Sequence, residues 1–167
     1  MNTKIEVKGN PLDCTETKKN LEAAFAGESM ANRKYLYFAK LARQLGDEEV
    51  AALFEKTAEE ETGHAFSHLS LIYPVEDMSV ERLLELAIEG ERYEYTTMYP
   101  AFEAKAAEEG EEKAVAEFRE QAEESKEHDE RFAKMLESAK KRFAALLKSE
   151  KRHHDLYADQ LKRVRRG

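Results

Sequence analysis

Long stretches of helix-forming residues with few breaks are what most limit the fold open to this chain. Gly46, the Pro74 to Ser79 stretch and Gly110 interrupt an otherwise uniform composition, and no Gly or Pro lies between Gly110 and Gly167. The segments between these breaks predict helix A over about 15–44, B over 47–73, C over 79–108, and D starting near 111. Beyond that point the chain is either one very long helix or two, and a break near 138–147 is the preferred reading. With only 7 Gly and 3 Pro in 167 residues, β-sandwiches and barrels, which need frequent turns, are excluded. The expectation is an all-α single domain over residues 1–167: a four-helix bundle with an additional C-terminal helix at about 140–165.

Each helix carries a stripe at four-three spacing, the pattern that turns one face toward bundle partners. On A it is Leu21, Phe25, Glu28, Asn32, Tyr35, Ala39 and Ala42. On B it is Val50, Phe54, Thr57, Glu61, His64, His68 and Leu71, and on C Leu84, Ala87, Glu91, Glu94, Met98 and Ala101. The stripes share a defect, because carboxylates and imidazoles stand at mid-helix where Leu or Ile would pack. Burying an unpaired carboxylate costs several kcal/mol, so a positive charge is expected among them. A metal ion is the economical choice.

The two halves of the chain also repeat. Phe-Ala-Gly-Glu at 25–28 matches Ile-Glu-Gly-Glu at 88–91. Gly46 follows Glu28 by 18 residues and Gly110 follows Glu91 by 19; from each glycine, plus eight gives Phe54 and Phe118, and plus eighteen gives His64 and His128. A duplicated helical hairpin, about 17–73 and 79–138, would make a pseudo-twofold bundle. At a rise of about 1.5 Å per residue, Glu28, His64, Glu91, Glu94 and His128 all lie level with one another, measured from their turns.

Charge and composition narrow the function. A net charge of −8 argues against a nucleic-acid groove, and the basic end from Lys162 to Arg166 reads as a solvated tail. No apolar run reaches the roughly 18 residues a membrane helix needs, and no leader pattern opens the chain, so the expected location is cytoplasmic. The single cysteine, Cys14, offers no disulfide and no Cys-x-x-Cys metal site, and reads as a small residue ahead of helix A.

Chance must be weighed against the carboxylate and imidazole layer. With 29 Glu and 5 His in the chain, about one Glu-x-x-His is expected by accident, so Glu61-x-x-His64 alone says little. The specific signal is the whole set, a Glu on A, Glu-x-x-His on B, Glu-x-x-Glu on C and a His on D. Carboxylate oxygens with one or two imidazoles suit iron or manganese, and residues three apart share a helix face. Glu-x-x-His aimed inward is the ligand pattern of di-iron carboxylate bundles, and two metals bridged by Glu suit five or more ligands.

The segments AFAGESMANRKYLYFA, EEETGHA and AIEGERYEYTTMYPAF resemble the ferritin-like di-iron domain of the rubrerythrins, over about residues 17–132. That resemblance implies iron ligands at Glu28, Glu61, His64, Glu91 and Glu94. It also implies that Tyr35 and Tyr99 hydrogen-bond ligand carboxylates, and that a ligand exchanges between Glu94 and His64 as iron changes oxidation state. Two iron ions are the implied cofactor, with manganese or a mixed pair as alternatives. The four cysteines of a rubredoxin module are absent, leaving the electron donor to be supplied from outside.

The fourth helix departs from the family's Glu-x-x-His, because the gap-free repeat gives Ser125-x-x-His128. Glu124 stands about 100° round the helix and would need an adjusted rotamer or a bulge to reach inward. A second candidate pair, Glu150 and His153, stands at plus seven and plus ten from Phe143, as Glu61 and His64 do from Phe54. Locally it fits the family better, but an unbroken helix D would carry Glu150 about 37 Å past the level of the other ligands. Both pairs stay open, with Glu124 and His128 preferred for position. His68 reads as a residue packed beside the ligands and His154 as a surface residue.

The connector between B and C, about six residues long, spans at most roughly 20 Å, too little to run the length of a bundle. Helix C parallel to B then requires exchange of hairpins between chains, so a domain-swapped homodimer is expected, with an up-down-up-down monomer as the alternative. The resemblance implies a peroxidase that takes hydrogen peroxide to water with electrons from a rubredoxin or reductase. Its rivals are ferroxidase or iron handling, and a non-catalytic helical interaction module.

Overall fold

A computed structural model of the chain describes residues 15–165. Cys14, and the part of the expected tail past Arg165, lie outside the described residues. The elements in order are α1 (Glu16–Gln44), α2 (Glu48–Ile72), a short 3-10 turn (Val75–Asp77), α3 (Val80–Tyr93), a π-helical turn (Glu94–Met98), α4 (Tyr99–Glu109) and α5 (Glu112–Val164). No strand occurs among the described residues, and the fold they show is all-α. No helix among them is long and apolar enough to cross a membrane.

The chain falls into two compact units that meet between Met78 and Ser79, inside the expected connector. The first is the antiparallel hairpin α1/α2; in the second, α5 packs along α3 and α4. Both hairpins turn in the same way. Gly46 and Gly110 take φ of 85° and 76°, the left-handed conformation that glycine adopts without a Cβ clash. Around the first, Gly46 N–H donates to Arg43 O and Asp47 N–H to Ala42 O; around the second, Gly110 N–H donates to Ala107 O and Glu111 N–H to Ala106 O. These are matching Schellman caps, which satisfy the last carbonyls of α1 and α4. Ser79, Asp47 and Thr15 cap the starts of α3, α2 and α1 through their side-chain oxygens.

Inside the first hairpin the buried seam is built of small residues: Ala39 and Ala42 on α1, with Ala51, Ala58 and Ala65 on α2. Alanines let two helices approach closely, and the larger Phe54 packs against that seam. Polar clamps tie each hairpin across its seam. Asn32 Nδ2 donates to Ala58 O (2.6 Å) and to Thr62 Oγ1 (2.9 Å). In the second hairpin the buried Asp129 accepts from Arg92 Nε and Nη2, both at 3.2 Å, and from the Tyr95 hydroxyl at 3.1 Å. Asn32 and Tyr95 each stand four residues, one turn, after the first glutamate of their repeat.

Two expectations are corrected. Helix C is not one α-helix over 79–108, because Glu94–Met98 form a π turn in which Tyr99 N–H donates to Glu94 O. Two causes coincide there. The second repeat holds one more residue than the first between its glutamate and its glycine, and Pro100, which lacks an N–H and would crowd the carbonyl four residues back, follows directly. The separate C-terminal helix at about 140–165 is also absent. The segment is helical, but α5 runs unbroken from Glu112 to Val164, with neither Gly nor Pro to stop it. Past Ala139 almost every residue is exposed.

Candidate metal centre

The repeat visible in the sequence is reproduced in the packing. Tyr35 stacks on Phe54 with ring centroids 5.8 Å apart, and Phe38 meets Phe54 edge-on at 5.6 Å. Sixty-four residues on, Tyr99 and Phe102 lie 6.4 and 5.6 Å from Phe118. The offset between the halves is 63 at Glu28 and Glu91 and 64 from these rings onward. The π turn absorbs the extra residue and keeps Tyr99 in register with Tyr35.

On the first hairpin, Glu28 of α1 and Glu61 and His64 of α2 each place a donor atom within 4.8 Å of the others. They are the one group of three His, Cys, Asp or Glu donors that come this close among the described residues. Glu28 and Glu61 are half-buried and His64 is exposed, with its Nδ1 2.9 Å from Glu61 Oε2. Two carboxylates and an imidazole facing one point are a donor set suited to a divalent transition metal.

The second hairpin gathers its residues differently. His128 Nδ1 lies 3.3 Å from Glu91 Oε2, both partly buried. Ser125, only 5% exposed, donates its hydroxyl proton to Glu94 Oε2 over 2.8 Å. Ser125 stands 64 residues after Glu61 and thus occupies the glutamate's place in the repeat. Glu124 is exposed, and α5 has no bulge to turn it inward. Its negative charge, after burial and the charges of Glu94, Glu91 and Glu117, raises the Tyr99 phenol above its ordinary 10.0. Tyr99 therefore stays protonated beside Glu94 and can donate. Among the described residues neither the Tyr35 nor the Tyr99 hydroxyl hydrogen-bonds a carboxylate. His68 is half-buried on α2, and Glu150, His153 and His154 are exposed far along α5.

The family model for rubrerythrin matches residues 19–136. The chain belongs to the rubrerythrin family. A putative rubrerythrin of Methanocaldococcus jannaschii is 34% identical over 145 residues, covering 75% of this chain and 71% of the relative. The rubrerythrin of Porphyromonas gingivalis is 37% identical over 133 residues (73% and 66%), and the nigerythrin of Nitratidesulfovibrio vulgaris 42% over 111 residues (59% and 55%). The chain thus spans between about half and about seven-tenths of these relatives' lengths. A solved structure of nigerythrin in a mixed-valence state is 36% identical, with 79% of this chain and 71% of that one covered, and a TM-score of 0.38. Members of the rubrerythrin family bind a di-iron centre, and the donors on the two hairpins are chemically of the kind such a centre takes.

Sequence reading missed one buried group beside these donors. Asp129, next to His128, anchors Arg92 and Tyr95, yet its place in the first repeat is Ala65, so the duplication gave no signal for it. A clue lay in the acidic Asp129 one turn after Ser125, on the face that also carries Ala122 and Phe132.

Proposed function

We propose that this chain is a non-haem di-iron peroxidase, reducing hydrogen peroxide to two waters with two protons and two electrons from an external donor such as a rubredoxin or reductase. The observation that carries the reading is the clustering of Glu28, Glu61 and His64 inside the segment matched to the rubrerythrin family. On this reading Glu28, Glu61, His64, Glu91, Glu94 and His128 supply the ligands of the two irons. A bound pair of ferrous ions supplies two electrons and a coordination position for a small oxidant.

The protein's own groups then have distinct tasks. Tyr99, whose proton is held more tightly by burial and by Glu94, is available as a hydrogen-bond donor to a ligand carboxylate. Glu94 begins the π turn, where the ladder shifts from four-residue to five-residue spacing, and this suits a carboxylate that changes partner, as the family's exchange with His64 requires. Each hairpin has a thin core of small residues and leaves large apolar side chains such as Leu36, Leu53 and Phe66 exposed. Covering them with a second hairpin, by exchange within a homodimer, is part of the proposal. The setting is the cytoplasm of a cell that meets oxygen only occasionally.

Anaerobic stopped-flow mixing of the diferrous protein tests the reaction. Stoichiometric peroxide is expected to oxidise the iron much faster than dioxygen does. Ferric iron accumulating beyond two per chain would instead mark iron handling, and failure to bind metal would leave a helical interaction module.

A further inference from the structure

The C-terminal part of α5 outruns the helices it packs on. Ala139 is its last buried residue, and beyond it Leu147 is 72% exposed, Tyr157 74% and Leu161 52%. The match to the rubrerythrin family ends at residue 136, before this segment begins. Most of a helix's stability comes from packing its apolar face, so a long helical arm with that face in water lacks a partner. Its stripe is regular: positions 143, 147, 150, 154, 157, 161 and 164 follow one another by four and three residues without a break, the heptad spacing of a coiled-coil seam. Phe143 stands eighteen residues, five helical turns, after the buried Ser125, so the seam prolongs the face by which α5 packs on α3.

The seam also reads alike from both ends about residue 152. In antiparallel register with a second copy, Phe143 meets the partner's Leu161, Leu147 the partner's Tyr157, and Glu150 the partner's His154, each pair occurring twice by symmetry. Parallel register would set Glu150 against Glu150 and His154 against His154, and is disfavoured. A polar pair at the middle of a seam fixes register, as polar residues at such positions do in coiled coils. Residues 140–165 hold nine Lys and Arg against three Asp and Glu. Between Phe143 and Val164 only Lys151 of these cations flanks the seam, while Lys148, Arg152, Lys162 and Arg163 stand on outer positions. A stripe this narrow, with a carboxylate at its centre, suits another helix better than a lipid surface.

We propose that residues 143–164 form an antiparallel coiled coil with the same segment of a second copy of this chain, with Glu150 facing the partner's His154 at its centre. This surface is distinct from the hairpin faces around Leu36, Leu53 and Phe66 and from the metal ligands, and the inference goes beyond the peroxidase reading.

Spin–spin distances between copies of the full chain test it, with Cys14→Ser and a single new cysteine, Ser149→Cys or Arg163→Cys, carrying the label. At about 1.5 Å per residue, antiparallel pairing about residue 152 separates two copies of position 149 by only about 9 Å along the axis and two copies of position 163 by about 33 Å. Parallel pairing would make the two distances alike. The label at 149 is therefore expected to report a short distance and the label at 163 a long one, and Leu147→Asp should abolish the short one. His154→Glu sets like charges together twice in the seam and should lower the ratio of paired to unpaired chains at least tenfold, roughly. Adding Glu150→His to it should restore that ratio. Equal distances at the two positions, a short distance that survives Leu147→Asp, or a double variant that stays unpaired would each overturn the proposal. So would the lack of any short distance, and binding of such an unpaired chain to phosphatidylglycerol vesicles would assign the helix to a membrane surface instead. The two label positions lie on an otherwise native seam, so they decide the register even if a seam variant fails to fold. None of these outcomes bears on the di-iron reading.

Discussion

Replacing Asp129 with alanine removes the polar clamp of the second hairpin at its buried end. Three hydrogen bonds end on that carboxylate, two from Arg92 at 3.2 Å and one from the Tyr95 hydroxyl at 3.1 Å. A hydrogen bond to a charged group contributes about 1.5–3 kcal/mol when both partners are buried. The Arg92 side chain is 58% exposed and rehydrates when its partner goes, so its share is small. Tyr95, half-buried, loses an ionised acceptor worth about 1.5 kcal/mol. The expected loss is therefore about 1.5–2 kcal/mol, read as a lower urea midpoint for the metal-free protein at fixed concentration. Arg92→Ala acts from the other side, leaving a carboxylate whose side chain is 8% exposed with Tyr95 as its one remaining side-chain donor among the described residues. The double variant should cost less than the two single changes together, by about 1 kcal/mol, because they remove the same contact. A loss under about 0.5 kcal/mol in Asp129→Ala would refute the assignment of Asp129 as the anchor of α5 on α3.

Other consequences are open to direct measurement. In an alkaline titration followed by phenolate absorbance, the last component to appear should vanish in Tyr99→Phe. The folded protein holds the Tyr99 proton more tightly than the unfolded chain, so this group's contribution to stability is intact below about pH 10 and is lost as pH rises through its folded value. Gly46→Ala and Gly110→Ala should each cost about 1–2 kcal/mol from the left-handed backbone alone, since a Cβ at either position meets nothing within 4 Å. Equal urea midpoints for these variants and the native chain would refute that account. His153→Ala should leave metal content unchanged where His64→Ala lowers it, because His153 is exposed and belongs to no three-donor group among the described residues.

Much of the scaffold was legible in the residues. The glycine breaks located both hairpin turns, and the equal offsets of Phe54 and Phe118 from them marked the repeat that the two aromatic clusters follow. The buried seam was harder to see. Ala51, Ala58 and Ala65 repeat every seven residues, but alanine is the best helix former on buried and exposed faces alike and gives a weaker hydropathy signal than the neighbouring stripe of Phe54, Glu61 and His64. The break expected near 138–147 had only the unusual length of a single helix behind it, since the segment holds neither Gly nor Pro to stop one. The π turn had left two traces, the spacing of 19 against 18 and Pro100, neither of which specifies where the extra residue is absorbed.

The extra residue and the missing carboxylate bear on each other. Each hairpin offers two glutamates and one histidine, but the second glutamate sits in a different place. On the first hairpin it is Glu61, three residues before His64 on the same regular helix, with its oxygen 2.9 Å from that imidazole. On the second hairpin the corresponding residue of α5 is Ser125, and the second carboxylate is Glu94, three residues after Glu91 on the opposite helix, at the first position of the π turn. Ala31 holds the place of Glu94 in the first repeat. A duplicated hairpin has therefore kept its turns, rings and donor count while moving one carboxylate from a rigid α-helical position to one where the backbone ladder is widened and the side chain is held by a single hydroxyl. A hydrogen bond of that kind is strong enough to set a resting position and weak enough to be broken by about 1.5–3 kcal/mol of competing interaction. If any carboxylate of this chain changes partner as the charge of the centre changes, the asymmetry between otherwise equivalent hairpins points to Glu94, with Ser125 setting the position it leaves.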